Sequence, residues 1–358
     1  MPQLRLTLDA WKAVSLKIDP RQARVSWHFR SRYRLSSSFH SLLARIQSRS
    51  YASALEGCVP SPPIFILGFW RSGTTFLHEL LCCDQRFGFP STYACLHPFH
   101  FLLSEQRIRH RPFEEQARRP MDNMLYSWAS PQEDEFALLA LGAPSPYEAL
   151  LVPSLMRDPQ SLLDLRQSPV EKQNRWSSCL RYFLQLLTVQ QAKTMVLKSP
   201  SHGFRLHILP TLFPQARYII IERNPYEVFA SNLKLWRTLL ELYSLESFSV
   251  DEIEEFVLAA YVLHEQAVSD GASDIDPRFL ARVRYEDLTV DPVTQVSRLY
   301  QQLGLGDFDE VRTRVKQYLA GVTDYRRNRF DLPLAQQARV NRTWGEIICA
   351  KRYELPGD

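Results

Sequence analysis

The stretch "PIFILGFWRSGTTFLHELL", residues 63–81, constrains the fold of this chain more than any other segment. A short apolar run at 64–67 leads into Gly68, Gly73 follows after four residues, and a helical pattern begins at Thr74. The glycines let the backbone turn tightly and point its N–H groups inward, and the start of the helix adds positive potential. We therefore predict a buried strand, an anion-binding loop and a helix.

The rest of the chain continues this alternation. Further apolar runs predict strands at 194–197, 218–221 and 279–285, and helical patterns lie at 74–82, 176–190, 202–212 and 226–240. One more helix is expected after the capping-box sequence Ser249-x-x-Glu252. This order predicts an α/β fold, a three-layer sandwich like that of the P-loop NTPases with a central, mainly parallel sheet. Ligands of such folds bind at the carboxyl ends of the strands.

Composition narrows the class of protein. The chain has 358 residues, 45% of them hydrophobic, which is enough for a large core. Its six cysteines show no paired CxxC spacing, so we expect reduced thiols and no structural zinc. No apolar run is long enough to span a bilayer, and the pI of about 8.7 is too mild to indicate nucleic-acid binding. We expect a cytoplasmic protein.

Prolines at 60, 62 and 63 predict a boundary between a basic, mainly helical arm at 1–59 and the main domain at 60–358. Residues 1–50 contain ten Lys or Arg, two Asp and no Glu. One interpretation is an amphipathic arm that packs on the main domain through Leu6, Trp11, Val14 and Leu16. The others are peripheral contact with an anionic membrane or partner, and a transit peptide.

The predicted loop lacks parts that an NTP-hydrolysing enzyme needs. Position 74 is Thr where the P-loop has Lys, and the next strands end in Lys198 and in Glu222-Arg223, not in a magnesium-binding aspartate. Cations and hydroxyls take their place, with Arg71, Ser72, Thr74 and Thr75 around the glycines. Fixed cations and N–H dipoles can activate a donor without a metal. A P-loop kinase or NTPase and a non-catalytic nucleotide-binding adaptor remain alternatives.

Two motifs carry a resemblance to a known family. The chain contains Arg71-Ser72-Gly73-Thr74-Thr75 and, at a later strand-to-helix junction, Arg223 followed after eight residues by Ser231. It resembles the sulfotransferases that use 3′-phosphoadenylyl sulfate (PAPS), in particular the bacterial branch with Arg in the loop. In that family the first motif grips the 5′-phosphosulfate and the second grips the 3′-phosphate. The resemblance runs from about residue 60 to 240 and more weakly to about 345.

The resemblance implies roles for individual residues. Lys198 would contact the leaving phosphate or the sulfuryl oxygens, and Arg71 would stabilise the bridging oxygen. Phe76 would lie against the adenine, although a core helix phenylalanine is an equal interpretation. The implied reaction is metal-independent, in-line transfer from PAPS to an acceptor hydroxyl or amine, with 3′-phosphoadenosine 5′-phosphate (PAP) as product.

The general base is not fixed by the motifs. Well-known cytosolic relatives place a histidine two residues after the strand-end lysine, but this position is Pro200 here. We expect the base among the adjacent acids Glu133, Asp134 and Glu135 and the histidines His202, His97 and His100. A capping box beginning at Ser130 would explain the first acid alone, and each histidine could be structural.

Two further regions suggest substrate contacts. The excursion at 85–150 would face the acceptor, and its aromatic rings suit a lipid, a phenol or another partly apolar alcohol. Core packing also explains these rings. They belong to Phe87, Phe89, Tyr93, Phe99, Phe101, Tyr126 and Trp128. A small-molecule or glycan acceptor stays open. A flap that closes over the donor is expected at 318–345. It contains a basic group that resembles the family's late 3′-phosphate loop, although a solvated turn is an equal interpretation. The group consists of Tyr325, Arg326, Arg327 and Arg329.

Overall fold

A computed structural model describes residues 4–108, 127–321 and 332–355. Within them lie β1 Ile64–Leu67, β2 Phe87–Gly88, β3 Thr194–Lys198, β4 Arg217–Glu222 and β5 Leu280–Arg284. These strands form one sheet in the order β2-β3-β1-β4-β5, and every neighbouring pair is parallel. The predicted α/β fold with a central parallel sheet is confirmed.

Strand β1 occupies the centre of the sheet. Its residue Phe65 lies opposite Leu197 of β3 and Tyr218 of β4, and all four of its residues are buried. Because parallel strands run in the same direction, the ends of β1, β3 and β4 meet at one edge. The loop after Leu67, the side chain of Lys198 and the junction at 222–223 therefore lie along that edge.

The helices of the described residues cover both faces of the sheet. They are α1 Leu8–Ser15, α2 Trp27–Ser50, α3 Ala52–Glu56, α4 Thr74–Cys82, α5 Thr92–Leu96, α6 Phe101–Ile108, α7 Glu135–Leu141, α8 Pro159–Leu163, α9 Val170–Gln191, α10 Leu209–Leu212, α11 Pro225–Tyr243, α12 Val250–Ser273, α13 Tyr285–Val290, α14 Pro292–Leu303, α15 Asp309–Gly321 and α16 Leu334–Ala350. The predicted capping box of Ser249 and Glu252 begins α12.

The alternating residues of β1 explain the three layers. Phe65 and Leu67 pack in a cluster with residues of α7 and α9, whereas Ile64 and Ile66 pack in another with residues of α4 and α14. Successive strand residues point to opposite faces, so a fully apolar strand is buried on both sides. A third cluster joins α1, α11, α12 and α16.

The prediction of one continuous helix at 202–212 is wrong. The segment forms a 3-10 helix, Pro200–Arg205, followed by the short α10. Pro210 lacks the backbone N–H that a continuous helix would use. Gly203 is packed so closely that a Cβ atom there would overlap the ring of His264 on α12. Prolines at both ends and this close contact favour a tight turn over a long helix.

The N-terminal arm packs on the main domain. Leu6, Trp11 and Val14 are buried in the cluster shared with α11 and α12, and the backbone N–H of Thr7 donates to the carbonyl of Ala140 at 2.9 Å. Leu16 is 86% exposed, so the expectation for that residue is wrong. Leu16 keeps helical backbone angles, and because it follows Val14 by two residues its side chain lies on the opposite, exposed face. The boundary near residue 60 stays a prediction.

The expected closing flap is only partly described. Trp344 is fully buried in α16, where its indole N–H donates to the carbonyl of Leu258 at 2.9 Å and its ring lies 4.1 Å from that of Tyr261. Trp344 is therefore a core residue and not part of a flap. The basic group Tyr325, Arg326, Arg327 and Arg329 lies outside the described residues, as does Tyr126.

Candidate active site

The loop between β1 and α4 has the backbone of an anion site. Arg71 and Gly73 both adopt positive φ angles, 70° and 98°. A Cβ atom at Gly73 would overlap the ring of Tyr285, so only glycine fits this turn. Gly73 also caps α4 without a side-chain hydrogen bond, which leaves the N–H groups of the helix start for another acceptor.

The side chains of the loop agree with an anionic ligand. The hydroxyl of Ser72 is buried and has no hydrogen-bond partner among the described residues. Thr74 is buried, whereas Thr75 and Phe76 are half-buried, with Phe76 at the border of the α4 and α14 cluster. A buried hydroxyl without a partner costs free energy unless a ligand or water satisfies it. The loop therefore has the features of an anion site, with a buried hydroxyl that a ligand could satisfy.

The second motif meets the first one directly. The Nε–H of Arg71 donates to the hydroxyl of Ser231 at 2.8 Å, although 160 positions separate them. The Nη1–H of Arg223 donates to the carbonyl of Arg71 at 3.0 Å. Arg223 also pairs with Glu227 at 2.5 Å and lies 4.4 Å from the centre of the Tyr285 ring. Loop, strand end and helix α11 therefore form one basic, hydroxyl-lined edge.

The three adjacent acids each pair with a base at the end of β3 or on the 3-10 helix that follows it. The pairs are Glu133 with Lys198 at 2.8 Å, Asp134 with His202 at 2.8 Å and Glu135 with Arg205 at 2.9 Å. Helix α7 starts at Glu135, and no side chain caps it, so the capping-box interpretation of Ser130 is wrong. Counter-charges on the 198–205 segment explain why three acids stand side by side.

The three carboxylates differ in exposure. The side chains of Asp134 and Glu135 are fully buried with their partners, whereas that of Glu133 is 16% exposed. Burial acts to raise the pKa of Asp134, but the charge and hydrogen bond of His202, with a hydrogen bond from Ser199, hold that pKa below its ordinary value. Glu133 is thus the one member of the acid group that reaches the surface of the site.

Tyr147 is a member of this site that the sequence did not reveal. Its hydroxyl donates to Oε2 of Glu133 and accepts a hydrogen bond from the indole N–H of Trp70 at 3.0 Å. Burial, with the charge of Glu133, raises the pKa of Tyr147 well above its ordinary value, so the hydroxyl stays protonated and donates. A single tyrosine in an apolar run carries no spacing signal that would have identified it.

The three histidines considered as bases are either buried or in contact with other parts of the chain. His202 is fully buried, with Nε2 at 2.8 Å from Asp134 and its ring edge-on to Phe65. His97 lies 2.9 Å from Arg5, and burial and that charge lower its pKa to about 2. His100 contacts the hydroxyl of Ser104 at 2.7 Å. His202 is thus enclosed with Asp134, whereas His97 contacts the N-terminal arm and His100 contacts α6.

All six cysteines are free thiols. No three His, Cys, Asp or Glu side chains of the described ranges are grouped to hold a metal ion, and the expected metal independence stays a prediction. Among the helices at 4–108, 127–321 and 332–355, none is both long and apolar enough to cross a membrane.

The fold and the two joined motifs define a sulfuryl-transfer enzyme. Residues 62–310 match the profile of the Sulfotransferase family, and the chain belongs to this family. It is 40% identical over 329 residues to the omega-hydroxy-beta-dihydromenaquinone-9 sulfotransferase Stf3 of Mycobacterium bovis and of Mycobacterium tuberculosis. The match covers 92% of this chain and 85% of each relative. The chain is a sulfotransferase, and the kinase and adaptor alternatives are set aside.

Solved structures show the same fold. The sulfotransferase STF9 from Mycobacterium avium superposes with a TM-score of 0.73 at 19% identity, covering 99% of this chain and 98% of that one. The sulfotransferase STF1 from Mycobacterium tuberculosis H37Rv gives a TM-score of 0.66 at 22% identity and covers 94% of this chain and 93% of its own. At these identities the likeness concerns the fold alone.

Proposed function

We propose that this sulfotransferase moves the sulfuryl group of PAPS to the hydroxyl of an apolar, lipid-like alcohol, such as an ω-hydroxylated isoprenoid quinone. The observation that carries the donor assignment is the contact of Arg223 and Ser231 with Arg71, which joins the two phosphate motifs at one edge. The acceptor class follows from the name of the relative that is 40% identical over 92% of this chain.

The loop residues would hold the 5′ end of the donor. Ser72, Gly73, Thr74 and Thr75 offer backbone N–H groups and hydroxyls at the start of α4, where the helix dipole favours an anion. Arg223 and Ser231 would hold the 3′-phosphate by charge-assisted hydrogen bonds. PAPS supplies a sulfur whose bond to the 5′-phosphate breaks as its bond to the acceptor oxygen forms.

Phe76 and Arg71 complete the donor site. Phe76 directly follows the loop and is half-buried, so its ring would be available to the adenine. Arg71 is held by Ser231 and would stabilise negative charge on the bridging oxygen. Lys198 would do the same for the departing phosphate, because it lies opposite Ile66 of β1 at the same edge as the loop.

Glu133 would accept the proton of the acceptor hydroxyl. Both of its oxygens are already positioned, one by the Lys198 ammonium at 2.8 Å and the other by the Tyr147 hydroxyl. A base must lie within hydrogen-bond reach of the proton it takes, and its own position must be fixed. Lys198 and Tyr147 provide that fixation, and the partial exposure of Glu133 provides access.

Two measurements test the proposal separately. Calorimetry should show that PAP binds more tightly than ATP, and equal affinity would remove the donor assignment. With radiolabelled PAPS, an ω-hydroxylated isoprenoid quinone should be sulfated faster than a simple phenol or a glycan, with the product identified by mass spectrometry. Faster sulfation of the phenol or the glycan would refute the acceptor class while leaving the donor site intact.

A further inference from the structure

Helix α2 presents an apolar stripe to solvent. Leu35, Phe39, Leu42 and Ile46 are between 43% and 72% exposed, and Trp27 at the start of the helix is 69% exposed. The spacing of four, three and four residues from 35 to 46 places these side chains on one face of an α-helix. A continuous exposed stripe of large apolar residues marks an interaction surface.

The opposite face fixes the orientation of the helix. Tyr33, Ser37, His40 and Gln47 are buried on that side. The His40 ring stacks on Phe99 with centroids 4.4 Å apart, and the Gln47 amide donates to the carbonyl of residue 98 at 2.9 Å. Because these contacts hold α2 by its polar and aromatic side, the apolar stripe points away from the protein.

Helix α2 is also rich in positive charge. Helix α2 contains five arginines and no acidic residue: Arg30, Arg32, Arg34, Arg45 and Arg49. Among the described residues, no carboxylate lies within salt-bridge distance of any of them. An apolar stripe bordered by unpaired arginines is the pattern of a helix that lies in the headgroup region of an anionic bilayer.

We propose that α2 is a membrane-docking helix, with its apolar stripe inserted toward the acyl chains and its arginines on anionic headgroups. The pattern of charge argues against a second copy of this chain as the occupant. Two α2 helices packed along their stripes would bring ten arginines together without an acidic residue from either helix. Coiled-coil pairs normally place opposite charges at these flanking positions.

The helix also connects to the acceptor side of the site. Its buried face contacts residues 98–102, where the N–H of Leu102 donates to the Gln47 side chain at 3.0 Å. The same excursion is tied to the segment that leads to Glu133, through backbone hydrogen bonds from Thr92 and Tyr93 to the carbonyls of 130 and 128. Docking through α2 would therefore hold this side of the enzyme near a membrane-dissolved acceptor. The link between docking and the acceptor rests on the proposed function, whereas the docking of α2 itself does not.

Vesicle co-sedimentation tests the docking itself, without donor or acceptor. The protein should pellet with phosphatidylcholine vesicles that contain phosphatidylglycerol, and less with phosphatidylcholine alone or in high salt. The double variant Leu35→Ser/Leu42→Ser should bind about tenfold or more weakly, because two inserted side chains are lost. The control Val290→Ser/Leu334→Ser removes two side chains that are 85% and 83% exposed elsewhere and should bind like the parent protein.

A second variant keeps the test independent of folding. Arg45→Gln/Arg49→Gln leaves the stripe intact and should weaken binding to anionic vesicles by about fivefold per charge, with no effect on neutral vesicles. PAP affinity and thermal melting should stay unchanged in all variants. Equal pelleting of the stripe variant and its control would overturn the proposal. So would a dimer in light scattering that the Leu35→Ser/Leu42→Ser variant dissociates, since the stripe would then bind a second copy.

Discussion

Replacing Glu133 by Gln separates proton transfer from donor binding. The substitution keeps the size and shape of the side chain but removes its ability to take a proton. In the structure, one oxygen of Glu133 accepts from Lys198 at 2.8 Å and the other accepts from Tyr147. An amide has one acceptor oxygen, so either the Lys198 ammonium or the Tyr147 hydroxyl loses the acceptor of its hydrogen bond.

The expected magnitudes follow from these contacts. Loss of a positioned general base lowers turnover by about 10²- to 10⁴-fold, or about 3–5 kcal/mol of activation free energy. Lys198 is fully buried, whereas Glu133 is 16% exposed, so water can replace part of the lost pairing. We therefore expect Glu133→Gln to lower the free energy of unfolding by about 1–3 kcal/mol, less than the removal of a fully buried ion-pair partner.

Initial rates with radiolabelled donor at saturating acceptor measure turnover, and calorimetry with PAP measures the donor site. Turnover of Glu133→Gln should fall far more than PAP affinity changes, since the proposed base would contact the acceptor and reach the nucleotide only through Lys198. The control Tyr147→Phe keeps the carboxylate and loses one hydrogen bond, so its turnover should fall by about tenfold at most. A folded Glu133→Gln enzyme that retains turnover near the parent value would refute the assignment.

The remaining predictions concern the donor site and acid stability. Arg223→Ala should weaken PAP binding by about 10- to 100-fold in calorimetry, because a charged hydrogen-bond donor is lost. The control Arg237→Ala, on α11 and likewise paired with an acid four residues on, should leave PAP binding unchanged. Asp134→Asn should lower the free energy of unfolding at pH 7 by about 1–3 kcal/mol, since a buried carboxylate that accepts hydrogen bonds from His202 and Ser199 is lost. Because the folded pKa of Asp134 is depressed, this difference should shrink in urea titrations as pH falls below 3.8 and vanish below the folded pKa. A difference that persists in acid would contradict the assigned role of the ionised Asp134 carboxylate.

Local signals in the sequence predicted the strand, loop and helix that are proposed to hold the donor. The apolar run at 64–67, the glycines at 68 and 73 and the start of α4 lie where the pattern placed them. These features depend on neighbours within a few residues, so sequence spacing records them. The prediction of a helix at 202–212 is wrong because Gly203 packs closely against His264, and this contact outweighs the helical periodicity. The periodicity of the sequence holds no information about such a tertiary contact.

The residues proposed to contact the acceptor could not be predicted in the same way, because their arrangement depends on contacts between distant segments. The sequence shows three adjacent acids and, 65 to 70 residues later, a Lys, a His and an Arg, but it does not pair them. Several bases therefore remained open, and only the burial of Asp134, Glu135 and His202 in the structure distinguishes them from Glu133. Burial is a property of the packed chain, and no spacing rule encodes it.

The sequence by itself determined the chemistry of the phosphate loop, the strand ends that face it and the family to which the chain belongs. The tertiary structure decided which side chains meet: Arg71 with Ser231, Glu133 with Lys198 and Tyr147, and the polar face of α2 with the acceptor-side excursion. The physical reason is that glycine turns and apolar periodicity act over a few residues, whereas hydrogen bonds across 65 or 160 positions exist only once the sheet has aligned its strands.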